Sequence, residues 1–96
     1  MPVAIHIPAP LRPFCAGQSR VEITGSPATL RDALEAFYAL HPGVRDRMIN
    51  EQGHIREHVN VFVGKEDIRY TGELATPLHA GDEISIVPAI SGGAPS

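Results

Sequence analysis

The chain has 96 residues, a mass of 10.3 kDa and a formal net charge of −3, with 43% hydrophobic and 20% charged residues. This length predicts one domain with a modest core, and the composition is typical of a globular protein rather than a disordered one. The eight basic residues are scattered, so no basic stripe is available for nucleic acid. Cys15 is the only cysteine, and no long apolar segment follows the N-terminus. We therefore expect a cytoplasmic protein that binds neither nucleic acid nor membrane.

Two strands are predicted before any helix. Apolar residues alternate from Val3 to Ile7, which is the period of a half-buried strand. Three prolines between residues 8 and 13 predict a break in regular structure, and Gly17 predicts a turn. The alternation resumes over Arg20–Ile23, so we expect a second strand that pairs antiparallel with the first.

One amphipathic helix is predicted after these strands. Thr29 can accept a hydrogen bond from a free N–H of the first turn, and Asp32 suits the positive end of the helix dipole. His41-Pro42-Gly43 should end the helix, and residues 44–49 could add one or two short turns. Five apolar side chains form a stripe that should cover one face of the sheet: Leu30, Ala33, Leu34, Phe37 and Leu40.

Three further strands are predicted after the helix. Residues 58–63 give the strongest signal, with valines on one face and Asn60 and Phe62 on the other, and we expect this strand to be central. A turn then leads to a short partner strand at residues 68–70, and Ile84 and Ile86 lie in a last strand that Pro88 should close. A helix on one face of a small mixed sheet predicts an α+β, ubiquitin-like domain over residues 1–90, with its first and last strands parallel in the middle.

The chain ends in a segment with almost no side chains, and we expect residues 91–96 to form a flexible tail. Adjacent glycines remove every Cβ that would hinder passage through a narrow slot, so a glycyl carboxyl could enter the active site of another enzyme. Judged by composition alone, a frayed terminus is the commoner reason for such a sequence.

Five motifs occur in order along the chain: Val59-Asn60-Val61-Phe62-Val63, Glu66-Asp67-Ile68-Arg69, Thr76-Pro77-Leu78, Gly81-Asp82-Glu83 and residues 86–93. Taken together, these motifs resemble the MoaD/ThiS family of sulfur carriers, which have the ubiquitin-like β-grasp fold. The resemblance covers nearly the whole chain and implies that an E1-like adenylyltransferase, using ATP, adenylylates the carboxyl of Gly93. This carboxyl would then become a thiocarboxylate that donates sulfur. The resemblance implies no bound cofactor and no catalytic residue in the chain, while Ile90, Ser91 and Gly92 would thread into the activating enzyme.

Within the family, the chain looks most similar to carriers that feed cysteine synthesis. The segments that carry this similarity are Ile7-Pro8, Leu11-Arg12-Pro13, Gly17 and residues 44–58. The implied partners are the adenylyltransferase, a sulfur donor protein and an O-phosphoserine-dependent cysteine synthase. Two different roles would use the same tail chemistry. One is the small subunit of molybdopterin synthase, which acts with that enzyme's large subunit, and the other is a ubiquitin-like modifier joined to lysines of target proteins.

The chain departs from the family pattern at Ala94-Pro95-Ser96, because these residues place the Gly93 carboxyl in a peptide bond. Some members of the family are made in a masked form and trimmed by a zinc-dependent JAMM-type protease. The segment is therefore expected to be either such a native mask or a remnant of cloning.

Three other features have weaker functional interpretations. His54 and His58 would share one face of a helix as metal ligands, but Gly53 and the adjoining strand argue against that helix, and we predict no metal site. Cys15 is expected to be a semi-buried loop residue without a role. Phe62 and Val87 should form an apolar patch on the sheet face away from the helix. This patch is a candidate docking surface, unless the loop at residues 8–17 or the segment at 44–58 folds over it.

Overall fold

The computed structural model describes residues 2–88, in which a five-stranded mixed sheet has the order β2-β1-β5-β3-β4. The strands are β1 (Val3–His6), β2 (Arg20–Ile23), β3 (Val59–Val63), β4 (Glu66–Asp67) and β5 (Glu83–Pro88). The α-helices are α1 (Leu30–Leu40) and α2 (Arg45–Met48), and short 3-10 helices span Ala9–Cys15, Pro42–Val44, Ile68–Tyr70 and Glu73–Ala75. None of the helices in this range has the length and apolarity needed to cross a bilayer.

The last strand, β5, lies at the centre of the sheet. It pairs parallel with β1, where Ile5 faces Ile84, and antiparallel with β3, where Val61 faces Ile86. These pairings confirm that the first and last strands are parallel neighbours in the middle. The prediction that residues 58–63 form the central strand is wrong by one position, since β5 is central and β3 lies beside it. Strong apolarity indicates that a strand is buried, and β5, which has a partner strand on each side, is buried as well as β3 is.

Helix α1 begins at the predicted cap. The Thr29 hydroxyl accepts a hydrogen bond from the Asp32 amide at 3.3 Å, and the Leu30 amide donates to the Thr76 carbonyl at 2.9 Å. These contacts satisfy two N–H groups that a helix N-terminus otherwise leaves free. The side chains of Leu30, Ala33, Leu34 and Phe37 are all buried against the sheet, as predicted.

The predicted stripe is wrong at its C-terminal end. Leu40 is 57% exposed, whereas Tyr38, which the pattern missed, is 6% exposed. The two residues lie on opposite flanks of α1. Tyr38 borders a depression that Ile49 and Leu74 of later segments also line. Leu40 lies on the flank of Ala36, which borders a depression next to Ile23 of edge strand β2. Periodicity locates the centre of a buried stripe, but the covering of its flanks depends on neighbours distant in sequence.

The proline-rich segment also differs from the prediction. Instead of a break in regular structure, Ala9–Cys15 forms a 3-10 helix with Pro13 inside it. A proline in the first turn removes an N–H that would have no partner there, and its fixed φ suits the helix. Leu11 and Cys15 point into the core, so Cys15 is fully buried rather than semi-buried. Phe14 lies under the Arg47 guanidinium, 4.5 Å from its ring centroid, which ties this helix to α2.

The short partner strand is shifted along the chain. It occupies Glu66–Asp67, and the predicted strand residues 68–70 form a 3-10 helix instead. Asp67 caps that helix, since its Oδ1 accepts a hydrogen bond from the Arg69 amide at 2.9 Å. Ile68 turns into the core, while Tyr70 is 86% exposed. An aspartate directly before this segment was the sequence signal for a cap rather than for a continuing strand.

The burial of α1 predicts the cost of truncating its stripe. Leu34→Ala and Phe37→Ala should each leave a cavity and lower the free energy of unfolding by roughly 2–5 kcal/mol. Arg31→Ala, on an exposed face of the same helix, is the matched control and should change stability little. Urea unfolding of the three variants checks this, and similar midpoints for all three would contradict the packing of α1 on the sheet.

The cap at Thr29 gives a second stability prediction. Thr29→Ala removes the acceptor for the Asp32 amide and should cost about 1 kcal/mol of unfolding free energy. Thr29→Ser keeps a hydroxyl at the same position and should retain most of that stability. Chemical denaturation of both variants beside the wild type measures the difference. A serine variant as unstable as the alanine variant would show that the threonine methyl, and not the hydrogen bond, matters there.

Candidate functional site

The feature that positions the candidate site is the central strand β5, which leads to the C-terminal diglycine. Its two isoleucines, Ile84 and Ile86, are buried, and its backbone bonds to a neighbour on each side. Pro88 faces Val59 and is the last residue of β5 in the described part of the chain, so its role in closing the strand stays a prediction. The tail is therefore attached to the best-anchored strand of the sheet.

The residues expected to carry the chemistry lie outside the described part of the chain. They are Gly93, the thiocarboxylate candidate, and Ile90, Ser91 and Gly92, the threading candidates, together with the flexible tail expected over residues 91–96. Their roles stay predictions. Five peptide bonds separate Pro88 from Gly93, and a chain of that length reaches at most about 18 Å. Any active site that receives the Gly93 carboxyl must therefore dock close to the end of β5.

The proposed docking pair lies on the sheet face opposite α1. Phe62 faces Ser85 and Asn60 faces Val87, so Phe62 and Val87 are diagonal neighbours across β3 and β5. Val87 is 45% exposed and Phe62 is half-buried. The expectation that the loop at 8–17 or the segment at 44–58 could cover this pair is wrong, because buried residues of both segments join the core on the α1 side: Leu11, Cys15, Val44 and Met48. A docking role for the pair stays a prediction.

Polar contacts surround this pair. Arg69 donates to Asn60 Oδ1 at 2.6 Å, which fixes a polar group beside Val87. On the other side of β5, the His6 ring and the Glu83 carboxylate are 2.8 Å apart and bridge β1 and β5. Exposed pairs of this kind contribute at most about 1 kcal/mol, so they orient the face more than they stabilise it. The sequence analysis missed the His6–Glu83 contact because it predicted the parallel pairing without its register.

The histidines considered as metal ligands do not share a helix. Asn50 Oδ1 accepts hydrogen bonds from the amides of Gln52 and His54 and holds this segment in a tight turn. His54 and His58 are both exposed on irregular backbone, so the helical spacing has no meaning here. Within residues 2–88, no three His, Cys, Asp or Glu side chains are grouped closely enough to hold a metal ion.

Two buried titratable side chains are unsuited to nucleophilic chemistry. Burial raises the pKa of the Cys15 thiol, so the thiolate needed for attack is scarce at neutral pH. Burial also raises the pKa of Tyr38 far above its usual value, with a further increase from Glu35 and an opposing effect of Arg45. The Tyr38 hydroxyl has no hydrogen-bond partner among the described protein groups. Both side chains therefore stay protonated, and neither can serve as an anionic nucleophile near neutral pH.

Comparison with known proteins agrees with this architecture. The chain is 36% identical over 95 residues to the sulfur carrier protein CysO of Mycobacterium tuberculosis, which covers 97% of this chain and all of that protein. It is 35% identical over 74 residues to small archaeal modifier protein 1 of Haloferax volcanii, which covers 77% of this chain and 79% of that protein.

A solved structure gives the same result. In the crystal structure of the Amycolatopsis orientalis BexX/CysO complex, one chain matches with a TM-score of 0.85 and 33% identity, over 95% of this chain and 99% of that one. This similarity confirms the α+β, ubiquitin-like β-grasp fold. The model of the ThiS family matches residues 5–93, which include the core, β5 and the diglycine. The chain therefore belongs to the ThiS family, in agreement with the motifs of its sequence.

Proposed function

We propose that this chain is a sulfur carrier protein whose Gly93 carboxyl, once free, is adenylylated and converted to a thiocarboxylate. The observation that carries the proposal is the similarity to the sulfur carrier protein CysO over 97% of this chain, from β1 through the diglycine. Cysteine synthesis is the favoured destination of the sulfur, because the same relative is matched over its whole length, including the segments 8–17 and 44–58.

The chemistry requires little from the carrier itself. A carboxylate is a poor electrophile, so its oxygen first attacks the α-phosphate of ATP and releases pyrophosphate, giving an acyl-adenylate. The terminal sulfur of a persulfide on a donor protein then attacks the acyl carbon and displaces AMP, which gives an acyl disulfide. A thiol reductant cleaves the S–S bond of that disulfide, so the donor leaves as a thiol and the carrier keeps the thiocarboxylate. The E1-like adenylyltransferase holds the ATP and the catalytic groups, and the carrier binds no cofactor of its own. We therefore assign this chain the role of a co-substrate rather than of an enzyme.

The carrier has two parts with separate tasks in this proposal. The face of Phe62 and Val87 docks on the activating enzyme, and the tail places Gly93 in its active site within about 18 Å of Pro88. The thiocarboxylate is then delivered to a sulfur-accepting synthase, for which an O-phosphoserine-dependent cysteine synthase is the favoured partner. Ala94-Pro95-Ser96 requires removal first, and a JAMM-type protease is the proposed agent. We place this exchange in the cytoplasm, where the lone Cys15 stays a thiol.

A protein modifier is the second candidate, and the observation that favours it is the 35% identity to small archaeal modifier protein 1. In that role an amine of a target lysine, rather than a sulfur nucleophile, would attack the activated Gly93 carboxyl. The match covers 77% of this chain, against 97% for the carrier CysO, and for that reason we rank the modifier below the carrier. The small subunit of molybdopterin synthase shares the same tail chemistry and ranks below both.

The blocked carboxyl gives the most direct functional prediction. Full-length protein should be inert at Gly93, because an amide carbonyl cannot provide the oxygen nucleophile that attacks ATP. Protein ending at Gly93 should be activated when it is incubated with the adenylyltransferase, ATP and a sulfur donor. Intact-mass analysis should then show the increase of about 16 Da that accompanies replacement of oxygen by sulfur.

Two further samples complete this experiment. The form ending at Gly93 with Gly92→Val places a side chain where the slot should admit none, and it should not convert. Equal conversion of the full-length, truncated and valine forms would contradict the proposal. Addition of a target protein distinguishes the modifier role, since that role requires a covalent product with the combined mass of the two proteins.

The docking surface gives a separate prediction. Phe62→Ala should weaken binding to the adenylyltransferase by about 30-fold, which corresponds to the roughly 2 kcal/mol typical of an aromatic hot spot. Leu40→Ala removes an exposed apolar side chain from the opposite side of the sheet and should bind normally. Titration calorimetry gives the affinities, and thermal melts confirm that each variant is folded. Unchanged affinity of a folded Phe62→Ala protein would exclude Phe62 from the interface.

A further inference from the structure

The outer edge of β2 presents backbone groups that no other strand in residues 2–88 pairs with. The amide of Ile7 donates to the carbonyl of Ser19, and alternate residues of an antiparallel pair bond across the same ladder. Val21 and Ile23 therefore direct their backbone groups toward β1, whereas Arg20 and Glu22 direct theirs away from the sheet. The amide of Ala4, which donates to the Asp82 carbonyl on the other side of β1, agrees with this alternation.

The two residues with outward backbone groups also carry opposite charges. Arg20 and Glu22 are both exposed, and their side chains pair at 2.8 Å on the open face of the sheet. Edge strands are commonly protected from pairing by charges such as lysine, by proline or by bulges. Here β2 has the regular four-residue register with β1 and no proline, and its charges alternate in sign. This edge is consequently self-complementary.

Charge and hydrogen-bond direction together select a single register for two copies of β2. If the antiparallel pair is centred on Val21, Arg20 lies opposite Glu22 of the second copy, and both residues direct their backbone groups across the gap. Centring on Arg20 or on Glu22 places like charges opposite each other, which is destabilising. If the centre of the pair lies between two residues, backbone groups that point across the gap lie opposite residues whose groups point away from it. Those groups then have no hydrogen-bond partners.

The flank of α1 beside this edge supports a second copy. Leu40 is 57% exposed, and Ala36 borders the surface depression next to Ile23 and the turn after β2. A two-fold axis through Val21 keeps both helices on the same side of the joined sheet, so these flanks come to face each other. Pairing would therefore bring apolar helix surface together in addition to the strands.

From these observations we propose that β2 is a homodimerisation edge, at which two copies pair antiparallel about Val21 into one continuous sheet. The same two-fold axis directs the two β5 strands to opposite ends of the dimer, so both tails and both faces of Phe62 and Val87 stay accessible. The pairing involves few residues, and small interfaces of this type are weak. The dimer should therefore form at high protein concentration rather than as a permanent assembly.

Sedimentation of full-length protein from about 20 µM to about 2 mM, the range in which weak interfaces populate, tests this proposal. The average mass should rise from 10.3 kDa toward twice that value. Arg20→Glu places acidic residues at both positions of every copy, and Glu22→Arg places basic residues at both. Each variant alone should stay monomeric, while an equimolar mixture of the two should form a heterodimer and restore the increase in mass.

Matched controls separate this edge from a general effect of charge. Arg31→Glu and Glu35→Arg change the net charge by the same amounts on exposed positions of α1 and should dimerise like the wild type. The double variant Arg20→Glu/Glu22→Arg reverses both charges and should also dimerise. A wild-type protein that stays monomeric at the highest concentration would overturn the proposal. Dimerisation of the two single variants as strong as that of the wild type would overturn it too, since another surface would then be responsible.

Discussion

The structure depends on the burial of β5 between two different partners. Ile84 and Ile86 bring the last strand into the core, β1 pairs with it parallel, and β3 pairs with it antiparallel. Neither neighbour is adjacent to β5 in the chain, so the position of this strand depends on segments that are distant in sequence. The fold therefore fixes the position from which the C-terminal segment starts, and the proposed reactive residue Gly93 follows five residues later in the sequence.

Most of the fold could be predicted from the sequence because local signals and burial agree. The alternation in β1 and β2, the cap at Thr29 and the valines of β3 all produced the expected elements. The predictions failed where distant neighbours decide. Leu40 is exposed on one flank of α1, whereas Tyr38 is buried on the other flank, near Leu74 and Ile49 of later segments. Likewise, the sequence was sufficient to predict that β1 lies beside β2 and β5, but not which residues of these strands lie opposite each other.

The features of the candidate site also differ in how far the sequence could predict them. Phe62 and Val87 were placed on one open face by period-two alternation alone, and the structure puts them there as diagonal neighbours. The contact between His6 and Glu83 could not be foreseen, because it requires the register of two strands that are 77 residues apart. The role predicted for Gly93 depends on the ordered set of family motifs. Two adjacent glycines without that context have no such specificity.

The position of Cys15 has a consequence for a protein that handles activated sulfur. A persulfide from the donor protein can exchange with any accessible thiolate, which would divert sulfur from the C-terminal carboxyl to a side chain. Full burial and a raised pKa of the thiol leave Cys15 protonated and out of reach of such donors. In the proposed function, sulfur that reaches this protein therefore meets the activated Gly93 carboxyl and no competing thiolate. Because the 3-10 helix Ala9–Cys15 ends with this thiol inside the core, the fold keeps its side-chain sulfur apart from the sulfur chemistry proposed for the C-terminus.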